Sequence, residues 1–276
     1  MKAATRIGDW LKRRLGAAAP AEPARADPRR WDSPFETLRE KWVEVPVSRY
    51  GRVRTAELAG LPDSELLALW QASRADLTAG VQFGHRGWYH LLYREFMRGK
   101  KVLDVGSGLA IDSVTFAQYG AGMTFLDLAE SNLAVVRRVC SQLGLTQVRF
   151  VLLQDLASLD ALDTDYDVIM AMGSLHHAPQ SIIRPEVERL LRHLKVGGRW
   201  LQLAYPESRW IREGRRPFDQ WGGSTDGDNT PWAEWYDLPK LLALLAPASF
   251  EVVLSQEFNN GNFIWFDLLK TGSGAE

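Results

Sequence analysis

The chain has 276 residues, of which 46% are apolar and 24% are charged, a composition typical of a folded protein with a substantial core. Its net charge of −1 is unevenly distributed, because residues 1–30 carry eight basic and three acidic side chains and the remainder is net acidic. A mildly acidic body argues against nucleic acid as a partner, since phosphate binding needs a basic surface. No apolar run of about 18 residues occurs, so we expect no transmembrane segment.

Residues 1–30 form a region of distinct composition. A short basic amphipathic helix is predicted over residues 3–16, with Ile7, Trp10 and Leu11 on one side. The Ala/Pro-rich linker that follows has little to bury, so we expect the whole region to be mobile. A frayed tail is the simpler interpretation of the helix, and weak docking to a membrane surface or a partner protein is the alternative.

The single cysteine and the N-terminal composition bear on location. Cys140 lies in a helical pattern with Val136 and Val139, which favours a packed thiol over a reactive one. The N-terminus lacks the uninterrupted apolar stretch of a secretory signal. These features predict a cytoplasmic location, and the sequence leaves the oligomeric state open.

Residues 31–99 show a mainly helical pattern. A helix is predicted over Leu61–Arg74, and a second, aromatic-rich helix over Trp88–Met97. We interpret residues 31–99 as a helical cap on a domain that spans residues 100–276.

From Lys100 onward, predicted strands and helices alternate. Apolar strands separated by amphipathic helices are typical of a parallel sheet covered on both faces, which is a three-layer α/β fold. The turn residues Asn259, Asn260 and Gly261 predict a terminal hairpin. The predicted strands are Lys101–Val105, Met123–Leu128, Val148–Leu153, Tyr166–Met172, Arg199–Tyr205, Phe250–Gln256 and Asn262–Lys270, and the predicted helices are Ile111–Tyr119, Ser131–Leu143, Ile182–Leu194 and Leu238–Leu245.

A glycine-containing turn follows the first of these strands. Gly106 and Gly108 stand where the strand turns into a helix, which lets a ligand approach the backbone closely. A dinucleotide-binding turn would place a third glycine at Ile111, so that fingerprint fails. Asp104 would repel a pyrophosphate and suits a cationic amino acid or a bound water better.

Two further carboxylates follow the next two strands. Asp127 ends the second strand, and strands one and two of a doubly wound sheet are neighbours at the carboxyl edge where ligands bind. A carboxylate there accepts hydrogen bonds from two ribose hydroxyls. Asp155, with Leu156, follows the third strand and offers a polar group for the edge of an adenine ring.

The stretches VLDVGSG, FLDLAESNL, LLQDL, DVIMAMGSLHH and LLRHLKVGGRWLQL resemble successive motifs of the class I S-adenosylmethionine-dependent methyltransferases. The resemblance covers Lys100–Tyr205 and extends through the hairpin to about Lys270. It implies a seven-strand, mostly parallel, Rossmann-like sheet whose last strand is antiparallel, and S-adenosylmethionine as cofactor. The residues it implies for cofactor binding are Asp104, Gly106, Ser107 and Gly108 with Met172, then Asp127 at the ribose, Leu128 on the adenine, and Asp155 with Leu156 at the adenine edge.

One residue departs from the family pattern. Where the family often has a further glycine, this chain has Ala110. Since a methyl group is small, we expect a slightly shifted loop and a retained site.

Two histidines follow the fourth strand and are the predicted catalytic residues. A histidine takes up a proton near neutral pH, and His176 and His177 fall beside the expected position of the sulfonium. A structural role is the alternative.

The acceptor site is predicted to lie between the cap and a lid insertion at residues 206–236, an irregular stretch rich in Trp, Arg and Asp. Such residues suit a polar, ring-bearing molecule. Asp226 and Asp228 with a histidine offer a divalent-ion site, but their spacing is too loose, and no metal site is predicted. The predicted acceptor-binding residues are His85, Trp88, Tyr205, Arg209, Trp232 and Tyr236.

The sequence therefore predicts methyl transfer from S-adenosylmethionine to an oxygen or nitrogen of a small, polar acceptor, such as a sugar-like or natural-product metabolite. A protein or lipid-linked acceptor is one alternative. A non-catalytic S-adenosylmethionine-binding scaffold is another. Ile111 and Asp104 argue against a nicotinamide-dependent reductase.

Overall fold

The computed structural model describes residues 34–47 and 51–274, so the predicted head and linker at residues 1–30 lie outside the described residues. The N-terminal part of the described chain is a cap made of short elements. They are α1 (Pro34–Trp42), β1 (Glu44–Pro46), β2 (Arg52–Arg54), α2 (Thr55–Ala59), α3 (Asp63–Ala79) and α4 (Tyr89–Tyr93), with a π turn at Phe83–Gly87 between the last two helices.

A large sheet follows the cap. Its strands are β3 (Lys101–Val105), β4 (Gly122–Asp127), β5 (Val148–Leu152), β6 (Tyr166–Met172), β7 (Leu194–Pro206), β8 (Trp235–Tyr236), β9 (Ser249–Phe258) and β10 (Phe263–Gly272). The long strands pair in the order β5-β4-β3-β6-β7-β10-β9, and the short β8 pairs with the end of β7. The strands β3 to β7 are parallel, whereas β10 is antiparallel to both of its neighbours.

Helices cover both faces of the sheet. They are α5 (Ile111–Gln118), α6 (Glu130–Gln142), α7 (Gln180–His193), α8 (Glu207–Arg212), α9 (Phe218–Thr225) and α10 (Leu238–Leu245). One apolar cluster joins α5, α6 and the cap helices α2, α3 and α4 to one face, and a second joins α1, α7 and α10 to the other. Because both faces are covered, the central strands are largely apolar, as over residues 168–172 of β6, and the predicted α/β fold is confirmed.

The described part of residues 31–99 is mainly helical, as predicted, and also contains the short antiparallel ladder of β1 and β2. The structure corrects one expectation. The lid insertion at residues 206–236 was predicted to be irregular, yet it contains α8, α9 and β8. These elements are too short to show a clear hydrophobic period, and they form because they pack on the larger domain. Among the described residues, no helix combines the length and the apolar character that crossing a bilayer requires.

Buried polar contacts fix the last strand and the cap. The Asp267 carboxylate on β10 is 1% exposed. It accepts hydrogen bonds from Arg199 Nε at 2.6 Å and Nη2 at 2.7 Å on the neighbouring strand, and from the Tyr93 hydroxyl of α4 at 2.5 Å. Lys270 Nζ, on the same strand, donates to the carbonyls of Leu191 and Leu194 at the end of α7.

Replacement of Arg199 tests how strongly this network holds the sheet. We expect Arg199→Met to lower the free energy of unfolding by about 3–5 kcal/mol, because it leaves a buried carboxylate without its cation. The measurement is chemical denaturation. Arg149→Met, which breaks an exposed ion pair with Asp163, is the matched control and costs less than about 1 kcal/mol. Equal losses in the two variants would contradict a structural role for Asp267.

Candidate active site

A cavity of about 580 Å³ lies at the carboxyl ends of β3, β4 and β6. Its volume falls within the range of small-molecule sites. The structure brings eleven of the predicted site residues to its wall. They are Asp104, Gly106, Ser107, Gly108, Asp127, Leu128, Met172, His176, His177, Tyr205 and Arg209.

The turn after β3 forms one wall of this cavity. Gly106 and Gly108 have φ angles of 74° and 53°, which glycine adopts without strain. Ala110, at the start of α5, has φ 52° and ψ 34° and is therefore left-handed as well. The alanine thus takes up the conformation that suits glycine, at a cost of about 1–2 kcal/mol, and the expected loop shift stays a prediction.

Asp104 places a buried carboxylate in the wall, near the turn. Its Oδ2 accepts a hydrogen bond from Ser113 Oγ at 2.5 Å. Burial raises the pKa of Asp104 to about 7, and the hydrogen bonds from Ser113 and Ser107 offset this only in part. No lysine or arginine of the described residues forms an ion pair with this carboxylate. A cationic ligand group would stabilise its charged form.

Asp127 organises the turn from the neighbouring strand. Its Oδ2 accepts a hydrogen bond from the Gly108 amide at 2.8 Å, and its Oδ1 accepts from the Ala129 amide at 2.8 Å and from Asn132 Nδ2 at 3.0 Å. Burial raises the pKa of Asp127 to about 6 against the effect of these donors. The side chain therefore holds the glycine turn in place as well as facing the cavity.

Two residues predicted at the adenine edge lie outside the cavity. Asp155 is exposed, and its carboxylate accepts a hydrogen bond from the Ser158 amide at 3.0 Å, which caps the 3₁₀ turn at Leu156–Ala161. Leu156 packs against the core on the α7 side of the sheet. The cavity wall in this region is formed by Leu153 at the end of β5 and by Leu128.

Four predicted acceptor-binding residues also lie outside the cavity. His85 is exposed in the π turn, and the Trp88 ring packs edge-on against Phe258 and Trp265. In the lid, Trp232 is buried beside Phe218. The Tyr236 hydroxyl donates a hydrogen bond to the Leu175 carbonyl at 3.3 Å. Trp88, Trp232 and Tyr236 thus pack inside the cap and the lid, because large aromatic rings supply much of the apolar surface that short elements bury.

His176 faces the cavity without a hydrogen-bond partner. The side chain is 1% exposed, and neither ring nitrogen has a partner among the described residues. Its ring lies 4.4 Å from the Tyr205 ring and 4.1 Å from the His177 ring, measured between centroids. Burial lowers the pKa of His176 well below its usual value, so the imidazole is neutral at physiological pH.

His177 is held by contacts on both sides of its ring. Its Nδ1 donates a hydrogen bond to the Trp232 carbonyl at 3.0 Å, and its Nε2 lies 3.3 Å from Asp226 Oδ2. The same carboxylate oxygen accepts a hydrogen bond from the Tyr205 hydroxyl at 2.6 Å. Burial by itself raises the pKa of Asp226, but the nearby His177 and Arg52 lower it by more. The net pKa therefore lies below its usual value, and the carboxyl group stays ionised.

Several residues around the histidine pair were not predicted from the sequence. Arg52 on β2 pairs with Asp226 Oδ1 and lies 5.2 Å from the centroid of the Trp42 ring. Asn259 and Asn262 of the terminal hairpin also line the cavity. Asn259 was interpreted only as a turn former and Asn262 only as the first residue of a strand. No pattern in the sequence distinguishes Arg52 from an exposed strand residue.

The central region of the chain matches a known protein family. Residues 102–198 match the family model described as a methyltransferase domain. This range begins in β3, ends in β7 and contains the glycine turn, Asp127 and the histidine pair.

Curated relatives align over the same region. The chain is 37% identical over 91 residues to a ubiquinone biosynthesis O-methyltransferase of Bordetella avium, which covers 32% of this chain and 37% of that protein. It is 39% identical over 92 residues to the corresponding protein of Pectobacterium atrosepticum, covering 33% and 38%. The chain thus matches well under half the length of these relatives.

Solved structures share the fold. A magnesium protoporphyrin IX methyltransferase from Synechocystis, with bound S-adenosylhomocysteine, superposes with a TM-score of 0.51 at 17% identity, covering 78% of this chain and 91% of that one. An O-methyltransferase family protein from Burkholderia thailandensis gives a TM-score of 0.54 at 14% identity, covering 88% and 69%.

Replacement of Gly106 by alanine tests the close packing of the glycine turn. A Cβ atom at this position would lie 2.4 Å from Ser174 Cβ. Gly144 has a similar φ of 66° but open space around it, so Gly144→Ala costs only the backbone strain of about 1–2 kcal/mol. We expect Gly106→Ala to lower the free energy of unfolding by clearly more than Gly144→Ala, as measured by chemical denaturation. Equal costs would show that the turn has room to relax.

Proposed function

We propose that this chain, a member of the class I S-adenosylmethionine-dependent methyltransferases, transfers a methyl group to an oxygen or nitrogen of a small, polar acceptor. The observation that carries the proposal is one continuous cavity, which extends from the glycine turn and Asp127 to His176 and His177. A donor site and an acceptor site that meet in one cavity allow direct transfer between two bound molecules.

The donor end of the cavity suits the cofactor of this family. S-adenosylmethionine supplies a methyl group bonded to a positively charged sulfur. Asp104 is a buried carboxylate without a cation, and it suits the ammonium group of the methionine part. Asp127 is our proposed ribose ligand, and Leu128 with Leu153 offers an apolar surface for the adenine ring.

The acceptor end supports a polar molecule of modest size. Arg52, Arg209 and Asn262 line this end, and the cavity volume fits a small molecule beside the donor. We favour oxygen as the methylated atom because the curated relatives are named O-methyltransferases. A cytoplasmic location and a docking role for residues 3–16 stay predictions.

We propose His176 and His177 as the catalytic residues that activate the acceptor group. A hydroxyl must lose its proton as its oxygen takes up the methyl group, so a group that favours this loss accelerates transfer. The unpartnered nitrogens of His176 are available to contact the acceptor or a group bound to it. Tyr205 and Asp226 hold His177 beside them.

Ligand-induced stabilisation tests the donor site. At a concentration 100-fold above its Kd, S-adenosylhomocysteine stabilises a protein that binds it by about 2.7 kcal/mol, and we expect the corresponding rise in Tm. Asp127→Ala abolishes this rise, because it removes the ribose ligand and releases the Gly108 amide. Asp155→Ala keeps the rise, since Asp155 lies outside the cavity. A full rise for Asp127→Ala would contradict the donor site, and loss of the rise for Asp155→Ala would restore the sequence-based adenine contact.

Replacement of His176 tests catalysis separately from donor binding. A screen with radiolabelled S-adenosylmethionine over small hydroxylated and aminated metabolites first identifies an acceptor. We then expect His176→Ala to lower kcat by at least about 100-fold, with the affinity for S-adenosylhomocysteine unchanged. His85→Ala is the control with an unchanged rate, because His85 is exposed outside the cavity. An unaltered kcat in His176→Ala would mean that alignment of the two molecules alone drives transfer.

A further inference from the structure

Three possible metal ligands converge at the acceptor end of the cavity. His176 and His177 follow β6, and Asp226 follows α9 of the lid. One ligand atom from each of the three lies within 4.8 Å of the other two. His176 and His177 are buried and Asp226 is largely so, and all three line the cavity. No metal site was predicted from the sequence, because the spacing of Asp226, Asp228 and a histidine was too loose to indicate one.

The orientation of His177 matches that of a metal ligand. Its Nδ1 carries the proton that is donated to the Trp232 carbonyl, so Nε2 keeps a lone pair. Histidines that bind metals usually donate a hydrogen bond from the N–H of their other ring nitrogen to a carbonyl or carboxylate in this way. Nε2 lies 3.3 Å from Asp226 Oδ2. Two ligands of a tetrahedral zinc ion are separated by about 3.4 Å, because each bond is about 2.1 Å long.

His176 provides an independent indication of a bound group. The imidazole is buried, yet both ring nitrogens lack a hydrogen-bond partner among the described residues. A buried polar group without a partner is costly, and in native proteins such groups usually meet a ligand, an ion or a water.

The charges around the site indicate which kind of ion it suits. Arg52 pairs with Asp226, Lys41 pairs with Glu44, and Arg209 pairs with Glu213, so the surroundings are close to neutral. Mg²⁺ and Ca²⁺ bind mainly to charged or carbonyl oxygens, of which few are free here. Two imidazoles and one carboxylate instead suit Zn²⁺ and ions of similar softness.

We propose that His176, His177 and Asp226 bind one divalent ion of the Zn²⁺ type at the acceptor end of the cavity. Three protein ligands leave a coordination position open, as in catalytic zinc sites. A hydroxyl group of the acceptor that occupies this position loses its proton to solvent more readily. The metal site does not depend on the proposed methyl transfer. Only the activation of an acceptor hydroxyl by the metal rests on that proposed function.

Metal titration of the untagged, full-length chain tests the proposal. After removal of metal with a chelator, Co²⁺ is added as a spectroscopic probe and Zn²⁺ binding is measured by calorimetry. We expect one ion per chain, visible absorption bands from tetrahedral Co²⁺, and their loss when Zn²⁺ displaces it. Millimolar Mg²⁺ does not compete. Cys140 is buried in the core and does not contribute to the signal.

Two variants and a matched control locate the site. His176→Ala and Asp226→Asn each lower the Zn²⁺ affinity at least about tenfold, whereas Asp228→Asn does not, because Asp228 is exposed in the same segment. The S-adenosylhomocysteine-induced rise in Tm verifies that each variant is folded and keeps its donor site. Absence of saturable binding in the native chain, or equal affinity in all variants, overturns the metal site. Loss of S-adenosylhomocysteine binding alone would overturn the proposed function and leave the metal site intact.

Discussion

The position of β3 between β4 and β6 is the constraint on which the cavity depends. In a parallel sheet the carboxyl ends of neighbouring strands lie at one edge. The strand order changes direction at β3, so the connections on its two sides run over opposite faces of the sheet. The turn after β3, Asp127 after β4 and the histidine pair after β6 therefore meet although they are far apart in the sequence. The covered faces keep the strands rigid, so the edge is preformed.

The two ends of the cavity differ in how much the sequence revealed. The turn after β3 was predictable because glycines, a preceding carboxylate and an apolar strand occur together within a few residues. Asp127 was predictable from its place at the end of the next strand. Asp155 was less predictable, because a carboxylate after a strand serves equally well as a cap for the following turn, and its hydrogen bond from the Ser158 amide shows this capping role.

The acceptor end was less predictable because it is assembled from distant segments. Asp226 contacts Arg52 of the cap, Tyr205 of β7 and His177. No local sequence pattern predicts these contacts. The aromatic residues of the lid were expected to face the acceptor. In the structure Trp232 and Tyr236 are buried and pack within the lid. Composition alone therefore did not distinguish aromatic residues that form the core of the lid from residues that line the cavity.

The contrast between a locally encoded donor end and a dispersed acceptor end has an evolutionary consequence. The segment that matches the methyltransferase family model holds the donor end and the histidine pair, whereas Arg52, Asp226 and Asn262 lie outside it. Substitutions in the cap, the lid and the hairpin can therefore alter which molecule enters without disturbing the glycine turn. Descendants of such a chain can diverge in substrate while they inherit the same glycine turn and Asp127, and exchange of the cap and lid between relatives offers a route to redesign.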